Sequence, residues 1–186
     1  MIALVIVLVV LVALVLFGIS AFNRLRTLDV KAQEALGGID VQLTRRADLV
    51  PNLVETVRGY AAHEKGVLEE VTAARASVAK AAASGTVEEK AAAAGALDAS
   101  LVNVMAVAEN YPDLKASTNF LDLQRQLADT ENQLAFARQY YNDAVSSLNT
   151  AVVTIPTNLL AGVAGVSTRA FYAAPLGQTA PPQVSF

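Results

Sequence analysis

The spacing of apolar residues changes sharply once along this chain. From residue 2 to residue 22 the run IALVIVLVVLVALVLFGISAF holds no charged side chain, and about 20 apolar residues is what a helix needs to cross a hydrocarbon core roughly 30 Å thick. Residues 1–23 therefore read as a transmembrane anchor. The rival is a cleaved signal peptide, which has a basic start, a shorter apolar core and a small-x-small cleavage site. Here the apolar run follows Met1 directly, is too long, and has no basic residue before it, so retention is expected. Arg24, Arg26 and Lys31 follow the run, and basic residues flanking a span favour the cytoplasmic side. The expected topology is a single pass with the N-terminus outside and the rest of the chain in the cytoplasm.

Beyond the anchor, apolar side chains recur in steps of three and four, with gaps of a whole heptad, at Leu36, Ile39, Leu43, Val50, Leu53, Val57, Tyr60, Val67, Val71 and Val78. That is a coiled-coil-like seam. It passes through Pro51 without a slip, because Leu43, Val50 and Val57 are one heptad apart and Pro51 sits one position off the line. The spacing predicts one helix running through the proline, with a lost hydrogen bond to the Ala47 carbonyl and a cost of about 3 kcal/mol that packing must offset. A helix of about 55 residues would be roughly 80 Å long. Gly37 and Gly38 supply a possible hinge between anchor and bundle.

The first helix is expected to stop at AAASGT, residues 81–86, where Thr86 followed by Glu89 forms a capping-box signature. A second helix on Leu97, Leu101, Val104, Ala108 and Tyr111 is ended by Pro112, since the residue before proline avoids helical angles. A third helix, capped at Ser117, Thr118 or Asn119, carries Phe120, Leu123, Leu127, Leu134, Ala137, Tyr141, Leu148 and Val152 and closes before Pro156. Short connections make neighbours antiparallel, so residues 24–154 are predicted to be an up-down-up three-helix bundle in an all-α protein. In that arrangement the apolar stretch NLLAGVAGV, within a short cap segment at 155–170, lies far from the bilayer. It is either a cap on the distal end or a contact for another subunit, carried by Leu159, Leu160, Val163 and Val166. The proline-bearing tail, 171–186, is expected to be extended or flexible.

Composition narrows the function classes. With 14 Lys and Arg against 17 Asp and Glu, a net charge of -3 gives no basic field for nucleic acid. The chain has no cysteine, which removes thiolate nucleophiles and sulfur-based metal sites. Its single histidine, His63, has Gly59, Tyr60, Gly66 and Val67 as helical neighbours, so no carboxylate shares its face. Nucleophile elbows, phosphate-cradling glycine loops and the H-E-x-x-H pattern are missing from the sequence. No catalytic, metal or cofactor residues are assigned.

The remaining polar residues look like helix-pairing devices or a partner contact. Arg46 falls on the inner seam, where a cation must pair or extend its head to water, and Glu131 on the third helix is the natural acid. Arg45 with Asp48 is an i,i+3 surface pair, and Pro51 and Asn52 complete the patch. Asn142 and Asn149, like Asn132 and Gln139, are seven residues apart. Such amides either fix register inside the bundle or bond across a subunit interface.

Several long strings resemble the LemA family of bacterial membrane proteins. They are FNRL at 22–25, IDVQLTRRADLVPNLVETVRGYAAHEK at 39–65, AENYPDLKASTNF at 108–120, LQRQLADTENQLAFARQYYNDAVSSLNT at 123–150 and IPTNLLAG at 155–162. One departure is Leu36-Gly37-Gly38 ahead of IDVQL, where members often carry a tryptophan. The resemblance implies an N-terminal anchor, a cytoplasmic antiparallel helical bundle and no recognised enzymatic activity. Together with the residues it leads to one expectation: a non-enzymatic scaffold at the inner face of the bacterial cytoplasmic membrane, self-associating into a homo-oligomer. The alternative is an adaptor that recruits another envelope protein, a membrane protease or stress-response component, through the patch from Arg45 to Asn52.

Overall fold

A computed structural model of the chain describes residues 1–173; beyond residue 173 the expected tail lies outside the described residues. Among the described residues the chain is helical without strands: α1 Ile2–Arg58, α2 Lys65–Ser84, α3 Val87–Glu109, α4 Pro112–Lys115, α5 Thr118–Val153 and α6 Asn158–Ala164. The all-α class and the long apolar N-terminal helix agree with the sequence. So do several boundaries whose causes are local. The Thr86 hydroxyl accepts from the Glu89 amide at 3.2 Å while the Glu89 carboxylate accepts from the Thr86 amide at 2.7 Å, closing the capping box of α3. Gly85 makes the tight turn before it, since a Cβ there would lie 2.7 Å from the Ala81 carbonyl oxygen.

Two compact units divide the chain. Unit 1 comprises Met1–Leu36 and Tyr140–Phe171. Through residue 20 no side chain of α1 is buried; burial begins at Ala21 and Leu25 and continues at Ala32 and Ala35. On the α5 side, Tyr141, Val145, Leu148 and Ala151 are buried. Asp29 accepts from the Arg169 guanidinium at 2.8 Å, and Asn149 holds the backbone of the same Arg169. Arg24 and Leu28 line one groove with Thr150, Thr154 and Thr157. Rising positions on α5 thus meet falling positions on α1, and the two helices are antiparallel. Beyond α5 the chain bends by 107° into α6. Gly165, at φ +64°, ends α6 in the left-handed region that only glycine enters freely.

Unit 2 comprises Gly37–Gln139 together with Tyr172. Four long helices meet in it, with the short α4 between α3 and α5. Arg75 on α2 bonds the Ala47 carbonyl of α1, and Lys90 touches both Asp40 of α1 and the Ala82 carbonyl of α2, so α2 runs back along α1. Contacts of Glu64 with Tyr111 and Glu70 with Asn103 reverse the direction again for α3. Met105 with Gln124, and Asp98 with Glu131 through a shared Arg46, reverse it once more for α5. By length and composition α3 would also suit a span, but it is partly buried in this unit and places Lys90 and Asp98 in ion pairs there.

Two expectations need correction. The first helix does not run on to Val78: α1 ends at Arg58, residues 59–64 turn the chain, and α2 starts at Lys65. The Tyr60 and Ala61 amides both bond the Val57 carbonyl, Ala61 is buried, and Tyr60 is exposed instead of holding the seam. Apolar periodicity missed this because the faces of α1 and α2 point into the same core on either side of the turn. The second correction follows from it. With one more reversal, α5 returns toward the apolar run, so Thr157 and the start of α6 lie beside Arg24 and Leu28, and the 158–166 stretch is not remote from the anchor.

Candidate functional site

The seam through RRADLVPNLV turns Arg46 inward, with 9% of its side chain exposed. Its Nη1 pairs with Asp98 on α3 and donates to Glu131 Oε2 on α5 at 2.6 Å. Glu131 also faces Arg138 at 3.5 Å, one heptad further along α5. The Arg138 guanidinium lies 5.4 Å from the ring centre of Tyr172, a cation–π distance. Two cations and two carboxylates thus form a charge-balanced chain across α1, α3, α5 and the C-terminal segment of unit 2. Burial pushes the Tyr172 phenol above the ordinary value; Arg138 opposes this, and the Asp98 and Glu131 charges add to it. A smaller ionic link joins Lys90 of α3, buried, to Asp40 of α1.

Pro51 lies inside α1 and is exposed. Its ring nitrogen has no hydrogen for the Ala47 carbonyl four residues back. Arg75 supplies that bond from α2: its Nε donates to the Ala47 oxygen at 3.0 Å. The break in the hydrogen-bond ladder is therefore the point at which α2 is attached to α1.

The polar patch separates into two faces. Arg45, Asp48 and Asn52 are exposed; Arg45 donates to Gln133 at 3.3 Å, and the Asn52 carbonyl accepts from the Thr56 hydroxyl. Asp40, Arg45, Asp48 and Leu49 line a shallow groove open to solvent. Arg46 is absent from that surface. Among the amides, Asn142 is half-buried, and Asn149 is engaged by the Arg169 backbone, accepting from its amide at 2.8 Å and donating to its carbonyl at 3.0 Å. That pairing fixes an extended segment against α5, a use the seven-residue spacing did not reveal. Of the four apolar residues assigned to a subunit contact, Leu159 and Val163 are 74% and 77% exposed, Leu160 is half-buried and Val166 is buried. Val166 is already packed within unit 1.

Asp98, Arg138, Lys90 and Tyr172 were not singled out from the sequence. Lys90 had a signal, because it stands one heptad before Leu97 on the buried line of α3. Tyr172 had none, lying outside any periodic segment. At the far turn, the Tyr111 hydroxyl donates to Glu64 at 3.3 Å; desolvation and then the Glu64 charge hold its phenol above the ordinary value. Among the described residues no group of three or more histidine, aspartate or glutamate side chains is placed to hold a metal ion.

The arrangement is that of helix cross-linking, with the charges paired to one another. The chain is similar to the magnetosome protein MamQ of Magnetospirillum gryphiswaldense, 23% identical over 193 residues that cover 91% of this chain and 71% of that protein. It is similar to two further magnetosome proteins of Paramagnetospirillum magneticum, MamQ 1 and MamQ 2, each 23% identical over 167 residues; these matches take in 77% of this chain but only 61% of the relatives' length. The LemA family model matches residues 35–186, from the end of unit 1's first segment to the end of the chain, and the protein belongs to the LemA family.

Proposed function

We propose that this protein is a non-enzymatic, membrane-anchored helical scaffold that self-associates at the inner face of the bacterial cytoplasmic membrane. The observation that carries this reading is α1. One helix is fully exposed and apolar over its first turns, and further on it holds the buried Arg46 against two other helices of unit 2, α3 and α5. A covalently continuous helix of that kind ties a bundle to a bilayer without any chemistry. Similarity to proteins named for the magnetosome supports a role in an assembled structure. Exposed Phe136 on α5, 76% accessible, offers apolar surface for copies of the chain to meet. Native mass spectrometry of the protein in nanodiscs tests the idea: wild type should carry two or more copies, and Phe136→Asp should lower that number. A wild-type monomer at micromolar concentration refutes self-association.

A second reading, an adaptor for another envelope protein, is favoured by the outward face of Arg45, Asp48 and Asn52 beside an open groove. In-cell crosslinking from that face should then capture a different protein, and Arg45→Glu should abolish capture while the bundle stays folded. Self-crosslinks alone would count against it.

A further inference from the structure

The residues that follow α5 form an apolar surface at a particular place in unit 1. Ile155, Leu159 and Val163 are spaced by four and are 81%, 74% and 77% exposed, whereas Ala161 and Ala164 on the other side of α6 are buried. Two of these large apolar side chains stand on the seven-residue α6 and the third just ahead of it, so the surface has no covering partner within the chain's described residues. Their position supplies an occupant. Thr157, immediately before α6, shares a groove with Arg24 and Leu28, and Arg24 is the first charged residue after the apolar run of α1. The antiparallel register, Asn149 level with Asp29 through Arg169, carries Ile155 to about the level of Phe22 and Asn23.

Direction agrees with depth. α5 lies antiparallel to α1, and α6 departs from α5 at 107°. If α1 crosses the bilayer, α6 therefore lies near the bilayer plane, at the depth where the span ends. Exposed Arg24 and Arg26 sit at the same level and suit anionic headgroups.

We propose that Ile155, Leu159 and Val163 insert into the headgroup–acyl boundary of the same bilayer that α1 spans, making α6 a second, interfacial attachment of the bundle to lipid. The inference rests on reading α1 as a span. Its consequence is that α5, far along the chain from the anchor, is also held at the membrane, so unit 1 is fixed at two points.

The absence of cysteine makes site-directed spin labelling clean. Leu159→Cys, Val163→Cys, Leu11→Cys and Val102→Cys would be labelled one at a time in the full-length protein and reconstituted in vesicles of phosphatidylcholine with phosphatidylglycerol. The labels at 159 and 163 should collide with oxygen several-fold more, and with an aqueous nickel chelate several-fold less, than the label at 102. Aqueous behaviour at 159 and 163 with a lipid-buried label at 11 overturns the inference and leaves the span intact. An aqueous label at 11 overturns both. Dipolar broadening at 159 that disappears on dilution with unlabelled protein assigns the surface to a second copy and also overturns it.

Discussion

Arg46 concentrates the energetics of unit 2 in one side chain. Truncating it leaves Asp98 without its cation and Glu131 with Arg138 alone, at 3.5 Å. Removing one partner of a buried pair costs about 3–5 kcal/mol, and because the Glu131 side chain is about a third exposed the lower end applies. Arg46→Ala should therefore lower the urea stability of the bundle by roughly 3 kcal/mol, whereas Arg46→Met combined with Asp98→Leu, which keeps the Glu131–Arg138 pair, should recover most of it. Equal loss in both variants would show that packing, not charge balance, governs the site. Heptad arithmetic was enough to turn Arg46 inward and to nominate Glu131, since both follow from position on a helix face. It gave no means of finding Asp98 or Tyr172, because which α3 residue reaches Arg46 and which extended residue reaches Arg138 depend on how the elements abut. Tyr172 adds a pH signature. Its folded phenol has a raised pKa, so the neutral form is favoured by folding. That contribution is fully present below the ordinary tyrosine value near 10 and is lost as pH rises through the folded value. Alkaline difference spectra of wild type against Tyr172→Phe should show one phenol ionising above the ordinary value, and the stability gap between the two should close as pH climbs.

At the level of elements, α1 and α2 are joined where the helix is weakest. Pro51 withholds a hydrogen from the Ala47 carbonyl, and Arg75 replaces it with a charged donor. Hydrogen bonds to charged groups contribute about 1.5–3 kcal/mol, and partial exposure of Arg75 brings this toward the low end. Arg75→Ala should destabilise the wild-type bundle by about 1.5 kcal/mol, and by clearly less in a Pro51→Ala background, where the helix satisfies its own carbonyl. A double-mutant cycle with coupling below about 0.5 kcal/mol would show the two residues to be independent. The capping box at Thr86, the stop before Pro112 and the end of α5 near Pro156 were all legible, since each depends on residues within one turn of the boundary. The turn at residues 59–64 was not. It has a glycine at 59 but no proline, and the apolar spacing on either side of it stays in step.

Across the whole molecule, the basic residues Arg24, Arg26 and Lys31 set the expected orientation, because positively charged flanks are retained on the cytoplasmic side. Single cysteines at Ile2 and Val102 allow a direct check. A membrane-impermeant maleimide should label Ile2→Cys in intact cells and Val102→Cys only after permeabilisation. The reverse pattern would place the bundle outside and would remove the inner-face part of the scaffold proposal. Both results leave family membership untouched, which rests on residues 35–186.

The sequence by itself determined the apolar anchor, the all-α class, the helix stops at capping and proline positions, and the inward side of α1. Each is set by hydropathy or by local steric and hydrogen-bond constraints that act within a few residues. Only the tertiary structure decided the extra reversal between α1 and α2, the direction of α5, and with it the place of Leu159 and Val163 beside the end of the apolar run. A seam records which face of a helix is buried and is indifferent to the direction in which the chain travels. Direction comes from pairings between distant residues, such as Arg75 with Ala47 and Arg169 with Asp29, and these are specified only when the helices are packed.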